Sequence, residues 1–407
     1  MKLRSLPSAL NLKGKKVLIR VDWNVPVVKH EAWSMKHVPP EDTLKIRQSL
    51  STIKMLKRRG AILIVLTHLG RPKRRDQEHS TRHLVDVIKN EFDLHCYFHP
   101  ESVMRGVEHE RLERMLLTSK PGAIHVLENV RFEMGEEDND QELAQAYASL
   151  GDLFINDAFA SSHRAHVSVS GIAQYLPAYA GPNLVDEVTA LSRLLIKPRR
   201  PFVAVIGGLK ISTKLPVLKI LLGVCDKILI GGAMATTIEA AMKESVGISF
   251  IEEEVLAQAK KIGKNKKVSL PIDALVTNKQ ADPAHAHVVS IHKIPKQEMI
   301  VDVGPETLEV WEKILHKANT ILWNGPIGMI EIPAFANGSL HLARIIGKRV
   351  KGRPFGVVGG GDTDPLVLIS HTKKQFDHLS MGGGALLDFI AEKGTLPGLL
   401  PLVMSNK

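Results

Sequence analysis

Short apolar runs and longer amphipathic segments alternate along nearly the whole chain. Ile46, Leu50 and Ile53 follow one another at helical spacing, which predicts a helix with one apolar face. The apolar runs are typical of buried strands, and their alternation with helical segments predicts a parallel sheet with helical crossovers. In the first half of the chain the predicted strands are "KVLIRVD", "AILIVLT", "AIHVLEN" and "DLFIND".

The alternation resumes after about residue 198, where the apolar runs end in glycine. Between the two sets of strands, residues 183–196 have helical spacing, which the sequence "KPRRP" then interrupts. We therefore predict two α/β domains, at 1–182 and 199–396, joined by a connecting helix at 183–198. The predicted strands of the second domain are "PFVAVIGG", "KILIGG", "TILWNG" and "PFGVVGG".

The composition is strongly basic, with 54 Lys and Arg against 43 Asp and Glu, a formal net charge of +11 over 407 residues. Such an excess fits either a nucleic acid or an acidic small molecule as ligand. The basic clusters are scattered, and aromatic residues, which stack on single-stranded bases, make up only 5% of the chain. We therefore interpret most of the charge as a solvated surface and expect no nucleic-acid partner.

Cys96 and Cys225 lie far apart and belong to no metal-binding motif, so neither a disulfide framework nor a zinc site is predicted. The N-terminus lacks the apolar core of a signal peptide, and no apolar run approaches the roughly 18 residues of a membrane span. We expect a cytoplasmic protein without a membrane span.

Polar residues follow each predicted strand of the first half. Ligands of parallel sheets bind at the carboxyl ends of the strands, so these residues are candidates for a binding site. One cation at a strand end is usually a helix cap or a surface charge, but four strand ends that converge on arginine and histidine predict an anion site. The candidates are Asp22, Asn24, His68, Arg71, Arg131, His163 and Arg164.

The sequence "VIGGLKISTK" predicts a strand, a Gly-Gly turn and a helix start with Ser212 as its cap. Lys214 then falls in the first helical turn, where the helix dipole disfavours a cation by about 0.3 to 1 kcal/mol. A phosphate between Lys210, Lys214 and the free amides would explain this placement; two solvated lysines are the alternative. The GxxxxGK[ST] and GxGxxG phosphate-binding patterns are absent at the strand ends.

Two glycine triplets, Gly359–Gly361 and Gly382–Gly384, would let the backbone approach a ligand closely. Asp364, which precedes Pro365, is explained as a helix N-cap. Asp362 is the better candidate to hold Mg²⁺ against nucleotide phosphates.

Nine motifs follow one another along residues 15–398: "KKVLIRVDWNVP", "THLGRP", "LENVRF", "NDAFASSHRAHVS", "IGGLKISTK", "GGAMATT", "WNGPIGMIE", "VVGGGDT", and "SMGGGA" with "LPG" after it. In this order they resemble the motifs of the phosphoglycerate kinase family, and nine ordered motifs are far more specific than any single one. The resemblance implies two Rossmann-like three-layer α/β/α domains with parallel sheets, a hinge at the connecting helix, a monomer, and a C-terminal segment (397–407) that returns to the first domain.

The resemblance also implies the reaction, the reversible transfer of a phosphoryl group from 1,3-bisphosphoglycerate to Mg-ADP, which gives 3-phosphoglycerate and ATP in glycolysis. It assigns the triose phosphate to Asp22, Asn24, His68, Arg71, Arg131 and Arg164. It assigns the nucleotide to Lys210, Lys214, Gly231, Gly232, Asn324, Glu331, Gly359, Gly360, Gly361, Asp362 and Thr363, with Asp362 as the Mg²⁺ ligand. The implied catalytic groups are Lys45, Lys210, Gly361 and Gly384.

The chemistry explains why no catalytic triad is needed. In the ATP-consuming direction the nucleophile is a carboxylate with a reference pKa near 4, so no general base is required. The transition state needs in-line positioning and cations or amides around the transferring oxygens. Placing two substrates on two domains requires closure, which excludes water.

Lys45 occupies the position at which the family carries an arginine. Arg47 is not expected to replace it, because two residues along a helix turn the side chain by about 200°. An ammonium keeps the charge but lacks the planar fork of a guanidinium, so we expect a working enzyme slowed roughly 10- to 1000-fold. The alternative is a catalytically weakened paralogue with a binding role.

Other departures from the family pattern are expected to tune the nucleotide pocket and leave the choice between ADP and GDP open. The segment at 27–42 is longer than in the family, and no function is assigned to it. The departures are Leu209, Ala233, Thr236 (expected in a loop beside the base), Met381 and Leu386.

Overall fold

The computed structural model describes residues 2–26, 43–350 and 354–404, and only the backbone of residues 28–29 and 36–37. It divides into two compact units, Met1–Thr189 with Thr395–Lys407, and Ala190–Gly394. The division lies within the helix Pro182–Leu195, in the segment predicted to connect the domains. Most of the long segment at 27–42 lies outside the described residues.

Strands and helices alternate in the first unit. Its strands are β1 (Lys16–Arg20), β2 (Val28–Lys29), β3 (Lys36–His37), β4 (Ile62–Leu66), β5 (Tyr97–His99), β6 (Ile124–Leu127), β7 (Leu153–Asn156) and β8 (Ala178–Ala180). Its helices are α1 (Thr43–Arg58), α2 (Arg82–Phe92), α3 (Val107–Leu117), α4 (Gln141–Ser149) and α5 (Pro182–Leu195), the last of which crosses into the second unit. Six strands form one parallel sheet in the order β5-β6-β4-β1-β7-β8. The loops that follow β6, β4, β1 and β7 therefore open side by side at one edge of the sheet.

Helix α1 packs its predicted apolar face into the core of this unit. Ile46 and Ile53 are fully buried, and Leu50 is 3% exposed. They lie in one apolar cluster with Trp23, which follows β1, and with side chains of the central strands. Because this contact sets the rotation of α1, it also decides which polar side chains of the helix face the strand ends.

The C-terminal segment belongs to the first unit. Leu396, Leu399 and Leu402 are buried. The Gly398 amide donates to the Ser162 carbonyl at 2.9 Å. The segment thus packs directly behind the loop that follows β7.

The second unit contains a parallel sheet in the order β11-β10-β9-β15-β16-β17 and an antiparallel sheet in the order β13-β12-β14. Its strands are β9 (Phe202–Ile206), β10 (Lys227–Ile230), β11 (Val268–Ser269), β12 (Asp273–Thr277), β13 (His287–Ser290), β14 (Met299–Val303), β15 (Thr320–Asn324), β16 (Phe355–Gly359) and β17 (His378–Ser380). Its helices are α6 (Leu215–Val224), α7 (Gly232–Ala241), α8 (Leu256–Gly263), α9 (Pro305–Lys317), α10 (Asn337–Val350), α11 (Asp364–Ile369) and α12 (Gly384–Ala391).

The predicted fold class, two α/β domains built on parallel sheets, is confirmed. The antiparallel sheet was not predicted, because β13 is largely solvent-exposed and lacks the apolar run that marks the other strands. Within the part of the chain that the structure describes, no helix has the length and apolar character needed to cross a bilayer.

Candidate active site

The loops after β1 and β4 are joined by hydrogen bonds that position two of the predicted site residues. Asn24 accepts a hydrogen bond from the Gly70 amide at its Oδ1 atom, at 2.8 Å. The Trp23 amide donates to the Thr67 hydroxyl at 3.1 Å. Asp22 and Asn24 are thereby held beside the loop that carries His68 and Arg71.

Three guanidinium groups from three loops crowd together at the same edge. Burial lowers the pKa of Arg131, and the positive charges of Arg164 and Arg71 lower it further, against the opposing effect of Glu137. Arg131 is anchored by a bond to the Gly70 carbonyl. Because both charges disfavour the charged form of Arg131, an anion bound beside these arginines would stabilise it.

His68 was expected to join the arginines as a cation of the anion site, but its imidazole is neutral. Burial, reinforced by the charges of Arg20 and Arg131, holds the pKa of its imidazole well below the usual value. The Arg20 Nη2 atom lies 2.9 Å from Nδ1 of His68, so the ring accepts this hydrogen bond. His68 can therefore offer a ligand a neutral Nε2–H donor.

Arg20 is the site residue that sequence reasoning missed. It is 2% exposed at the end of β1, and besides His68 it donates to the hydroxyls of Ser168 at 3.0 Å and Ser161 at 3.3 Å. Burial raises the pKa of the Glu136 carboxyl to about 7. This carboxyl lies close enough to Arg20 to favour the charged form of its guanidinium. The available signal was one arginine at the carboxyl end of the apolar strand "KVLIR".

Lys45 faces the predicted substrate site, and Arg47 does not. The Lys45 Nζ atom lies 3.6 Å from Oδ2 of Asp22 and donates to the Asn24 carbonyl at 3.3 Å. The Arg47 guanidinium lies over the Phe92 ring, 4.9 Å from its centroid. The predicted orientation of both side chains is confirmed.

The second unit has a cavity of about 370 Å³ at the ends of its central strands. Among the residues predicted to bind nucleotide, Gly232, Glu331 and Asp362 line it, and so do the departures Leu209 and Ala233. The departures Thr236 and Leu386 do not line this cavity. Thr236 lies within helix α7, not in a loop as expected, and Leu386 is fully buried in α12.

Lys214 forms the polar centre beside this cavity. Its Nζ atom donates to the Gly207 carbonyl at 2.6 Å and to Oδ1 of Asn324 at 2.7 Å. Asn324 in turn donates to the Gly359 carbonyl at 2.6 Å, which ties β15 to the glycine triplet after β16. Burial lowers the pKa of the Lys214 ammonium to about 8, against the effect of the Asp362 carboxylate.

Two predicted helix caps are wrong. The Ser212 hydroxyl donates to the Glu252 carboxylate, and α6 begins only at Leu215, with Lys214 as the residue before it. Asp364 is the first residue of α11, and Thr363 precedes it as the N-cap position. The Thr363 hydroxyl instead accepts from the Gly325 amide at 2.7 Å, so the helix starts are braced by tertiary contacts, which local sequence does not reveal.

The predicted glycines fall into two groups. A Cβ atom on Gly231 would lie 2.6 Å from Ile327, and one on Gly359 would lie 2.8 Å from Ser380, so close packing requires both glycines. A Cβ atom on Gly361 or Gly384 would meet nothing within 4 Å. Packing within the protein therefore does not require a glycine at these last two positions, whereas close approach of a ligand to the backbone would.

Lys210 and Asp362 are both exposed. No group of three His, Cys, Asp or Glu side chains suited to a metal ion occurs among the described residues. One exposed carboxylate on the wall of the cavity nonetheless fits Mg²⁺, which proteins often hold through one or two carboxylates together with substrate phosphates.

A guanidinium cluster on one parallel sheet, and a glycine-rich cavity with a buried lysine on another, define a two-domain α/β phosphotransferase of small molecules. A family model described as phosphoglycerate kinase matches residues 8–393. The chain belongs to the phosphoglycerate kinase family.

Individual relatives agree along their full length. The phosphoglycerate kinase of Thermus thermophilus is 43% identical over 395 residues, covering 96% of this chain and 97% of that protein. That of Dictyoglomus turgidum is 39% identical over 397 residues, covering 96% of each. The solved phosphoglycerate kinase structure from Coxiella burnetii is 35% identical, covers 98% of this chain and 99% of that one, and superposes with a TM-score of 0.82.

These matches confirm the activity predicted from the motifs. The chain is a phosphotransferase with a carboxyl group as acceptor, and its reaction is the phosphoglycerate kinase step of glycolysis. The alternative of a weakened paralogue with a binding role is not favoured.

Proposed function

We propose that the first unit binds 3-phosphoglycerate or 1,3-bisphosphoglycerate at the edge formed by the loops after β1, β4, β6 and β7. The observation that carries this assignment is the repulsion that the charges of Arg71 and Arg164 exert on the Arg131 guanidinium. 3-Phosphoglycerate has about three negative charges near pH 7, so its binding would relieve that repulsion. Neutral His68, with Asp22 and Asn24, would orient the hydroxyl and carboxyl groups.

The second unit would bind the nucleotide, ADP or ATP, in the 370 Å³ cavity. Lys214, fixed between Gly207 and Asn324, and the exposed Lys210 would contact the phosphates. The amides of the glycine triplets would cradle them, and Glu331 would bind the ribose hydroxyls. The Thr363 amide, also predicted to join this cradle, donates to the Gly360 carbonyl at 2.8 Å. Gly231 and Gly232 would lie beside the base.

Asp362 would hold Mg²⁺, which neutralises charge on the nucleotide phosphates when bound. Its exposed carboxylate on the cavity wall supports this assignment.

Direct in-line transfer follows from the nature of the substrates. The acceptor carboxylate needs no deprotonation, so the protein contributes positioning and charge stabilisation. Lys45 would stabilise the transferring group from the first unit, and Lys210 with the amides of Gly361 and Gly384 from the second. Because the two substrates belong to different units, transfer requires closure, for which we propose a hinge at α5.

We further propose a cytoplasmic monomer. Cys96 and Cys225 are both buried and free of disulfides, which supports a reducing compartment.

The triose-phosphate assignment is tested by Arg71→Ala, with the neighbouring exposed Arg74→Ala as the matched control. Loss of a charge-assisted contact of about 1.5 to 3 kcal/mol would lower kcat/KM for 3-phosphoglycerate roughly 10- to 150-fold. Arg74→Ala should leave it unchanged. Equal effects of the two variants in steady-state assays would refute a specific contact at Arg71.

A further inference from the structure

A series of hydrogen bonds leads from the core of the first unit to the predicted triose-phosphate site. It begins at Glu136, which is 1% exposed and precedes α4. The Ser168 hydroxyl donates to Oε1 of Glu136 at 2.5 Å and accepts from Nε of Arg20 at 3.0 Å. The Nη2 atom of Arg20 then donates to Nδ1 of His68 at 2.9 Å. Residues from distant parts of the chain thus form one connected series that ends at His68.

The direction of each hydrogen bond in this series is fixed. A guanidinium has only donors, so Nδ1 of the neutral His68 accepts and the ring hydrogen lies on Nε2. The Ser168 hydroxyl has one hydrogen, which the Glu136 carboxylate takes, and its oxygen is left to accept from Arg20. The Ser168 amide also donates to Oε2 of Glu136 at 3.1 Å. An ionised Glu136 therefore sets the direction of the whole series as far as the imidazole.

His68, at the other end, lies among groups predicted to bind the triose phosphate. The charges of Arg131 and Lys45 help to lower the pKa of its imidazole, so the ring lies close to both cations. With its hydrogen on Nε2, the ring can donate to a carboxylate or hydroxyl of the substrate. The other tautomer would present a lone pair there, which repels a carboxylate. The tautomer and orientation of this ring therefore decide whether the contact is favourable.

Stability alone does not explain two charged groups in this core. Burial lowers the pKa of the Arg20 guanidinium, and the Glu136 carboxylate is the strongest influence against that effect. His166, whose Nδ1 atom lies 4.0 Å from Oε1 of Glu136, stays neutral because burial lowers its pKa to about 4. Apolar side chains of similar volume stabilise a core as well as buried charges do, and often better. What the charged groups add is a fixed geometry at His68.

We propose that Glu136 and Ser168 are positioning residues for the reaction. Acting through Arg20, they hold His68 as an Nε2–H donor to 3-phosphoglycerate. The inference rests on the proposed binding of the triose phosphate at this edge of the sheet. Both residues act from the core, behind the loops that carry the predicted substrate contacts.

A double-mutant cycle with His68 tests this inference. The dissociation constant of 3-phosphoglycerate would be measured calorimetrically at pH 8, where Glu136 is mainly ionised. The proteins are wild type, Ser168→Ala, His68→Ala and the double variant. Ser168→Ala keeps every charge and should weaken binding about 10-fold, as expected when a hydrogen bond to a charged ligand group is lost. In the His68→Ala background it should change binding by no more than about twofold, because the residue that it positions is absent.

Histidine-ring NMR gives a second readout, which a purely structural role would not change. With ¹⁵N-labelled protein, wild type should show the Nε2–H tautomer of His68, identified by the signal that His68→Ala lacks. Ser168→Ala and Glu136→Gln should each reduce the population of this tautomer. If Ser168→Ala does not fold, Glu136→Gln, which keeps the shape of the side chain, replaces it in the binding cycle. Its effect on long-range charge occurs with and without His68 and therefore cancels from the coupling.

Ser170→Ala is the matched control. Ser170 is also buried, lies two residues further along, and donates to the His166 carbonyl at 3.2 Å. Its loss should leave the affinity for 3-phosphoglycerate unchanged. Wild-type affinity in Ser168→Ala, equal weakening with and without His68, or an unchanged His68 tautomer in both core variants would overturn the inference and leave the site assignment intact. If neither Arg71→Ala nor His68→Ala weakens binding, the triose-phosphate site itself is wrong.

Discussion

Lys45 shows how much one side chain depends on the rotation of the helix that carries it. The buried stripe of Ile46, Leu50 and Ile53 could be predicted from spacing alone, and it directs Lys45 toward Asp22 and Asn24. An ammonium at this position supplies charge without the two parallel donors of a guanidinium.

Lys45→Arg should therefore raise kcat about 10-fold or more, equivalent to at least about 1.4 kcal/mol of barrier. Steady-state ATP formation from 1,3-bisphosphoglycerate and ADP measures it. Arg47→Lys, which changes the same kind of group on the opposite side of α1, should leave kcat unchanged. If Lys45→Arg is no faster than wild type, the lysine geometry is already sufficient.

If Lys214 contacts the nucleotide phosphates as proposed, we expect nucleotide binding to depend on pH. Its pKa in the free protein is about 8, because the ammonium is buried. Bound phosphates would raise that pKa, so the complex holds more protons than the free protein above pH 8, and affinity for ADP should fall as pH rises through this value. Calorimetric titration between pH 7 and pH 9 should show the decline in wild type.

Lys214→Arg is the control, because a guanidinium stays charged throughout this range. Its affinity for ADP should vary less with pH than that of wild type. A decline of the same size in both proteins would assign the titration to another group.

Among the secondary-structure elements, a glycine at a helix start can be tested for whether packing or ligand binding requires it. Gly384 begins α12, and a Cβ atom there meets open space. Gly384→Ala should leave the free energy of unfolding unchanged or raise it by up to about 1 kcal/mol, because alanine favours the helix. If backbone approach to phosphate is its role, kcat/KM should nevertheless fall.

Gly223→Ala, near the end of α6 and equally unobstructed, is the matched control. It should gain stability by a similar amount without loss of activity, as measured by urea unfolding and steady-state assays. Full activity in Gly384→Ala would contradict a catalytic role for Gly384.

The parallel strands and their crossover helices could be predicted because each buried strand is a nearly continuous apolar run. The starts of α6 and α11 could not be predicted, because tertiary hydrogen bonds compete there with local capping. The Ser212 hydroxyl donates to Glu252, and the Thr363 hydroxyl accepts from the Gly325 amide. The antiparallel sheet escaped prediction for a similar reason, because its edge strand β13 packs too little apolar surface to leave a pattern.

At the scale of the whole molecule, the C-terminal segment stabilises the unit that contains the N-terminus. Leu402 is fully buried, whereas Leu400 nearby is 59% exposed. Leu402→Ala should lower the free energy of unfolding by about 2 to 5 kcal/mol, and Leu400→Ala should change it by no more than about 0.5 kcal/mol. Urea unfolding followed by circular dichroism measures both, and equal effects would show that the segment contributes little.

The class of fold, the family and most candidate binding residues could be predicted from the order of amino acids, because apolar periodicity and ordered motifs are local properties. The charge states of the site residues could not, because they depend on tertiary contacts. Those contacts make His68 neutral, lower the pKa of Lys214 and bring Arg20 to His68. Desolvation and hydrogen bonding depend on elements that are distant in the chain.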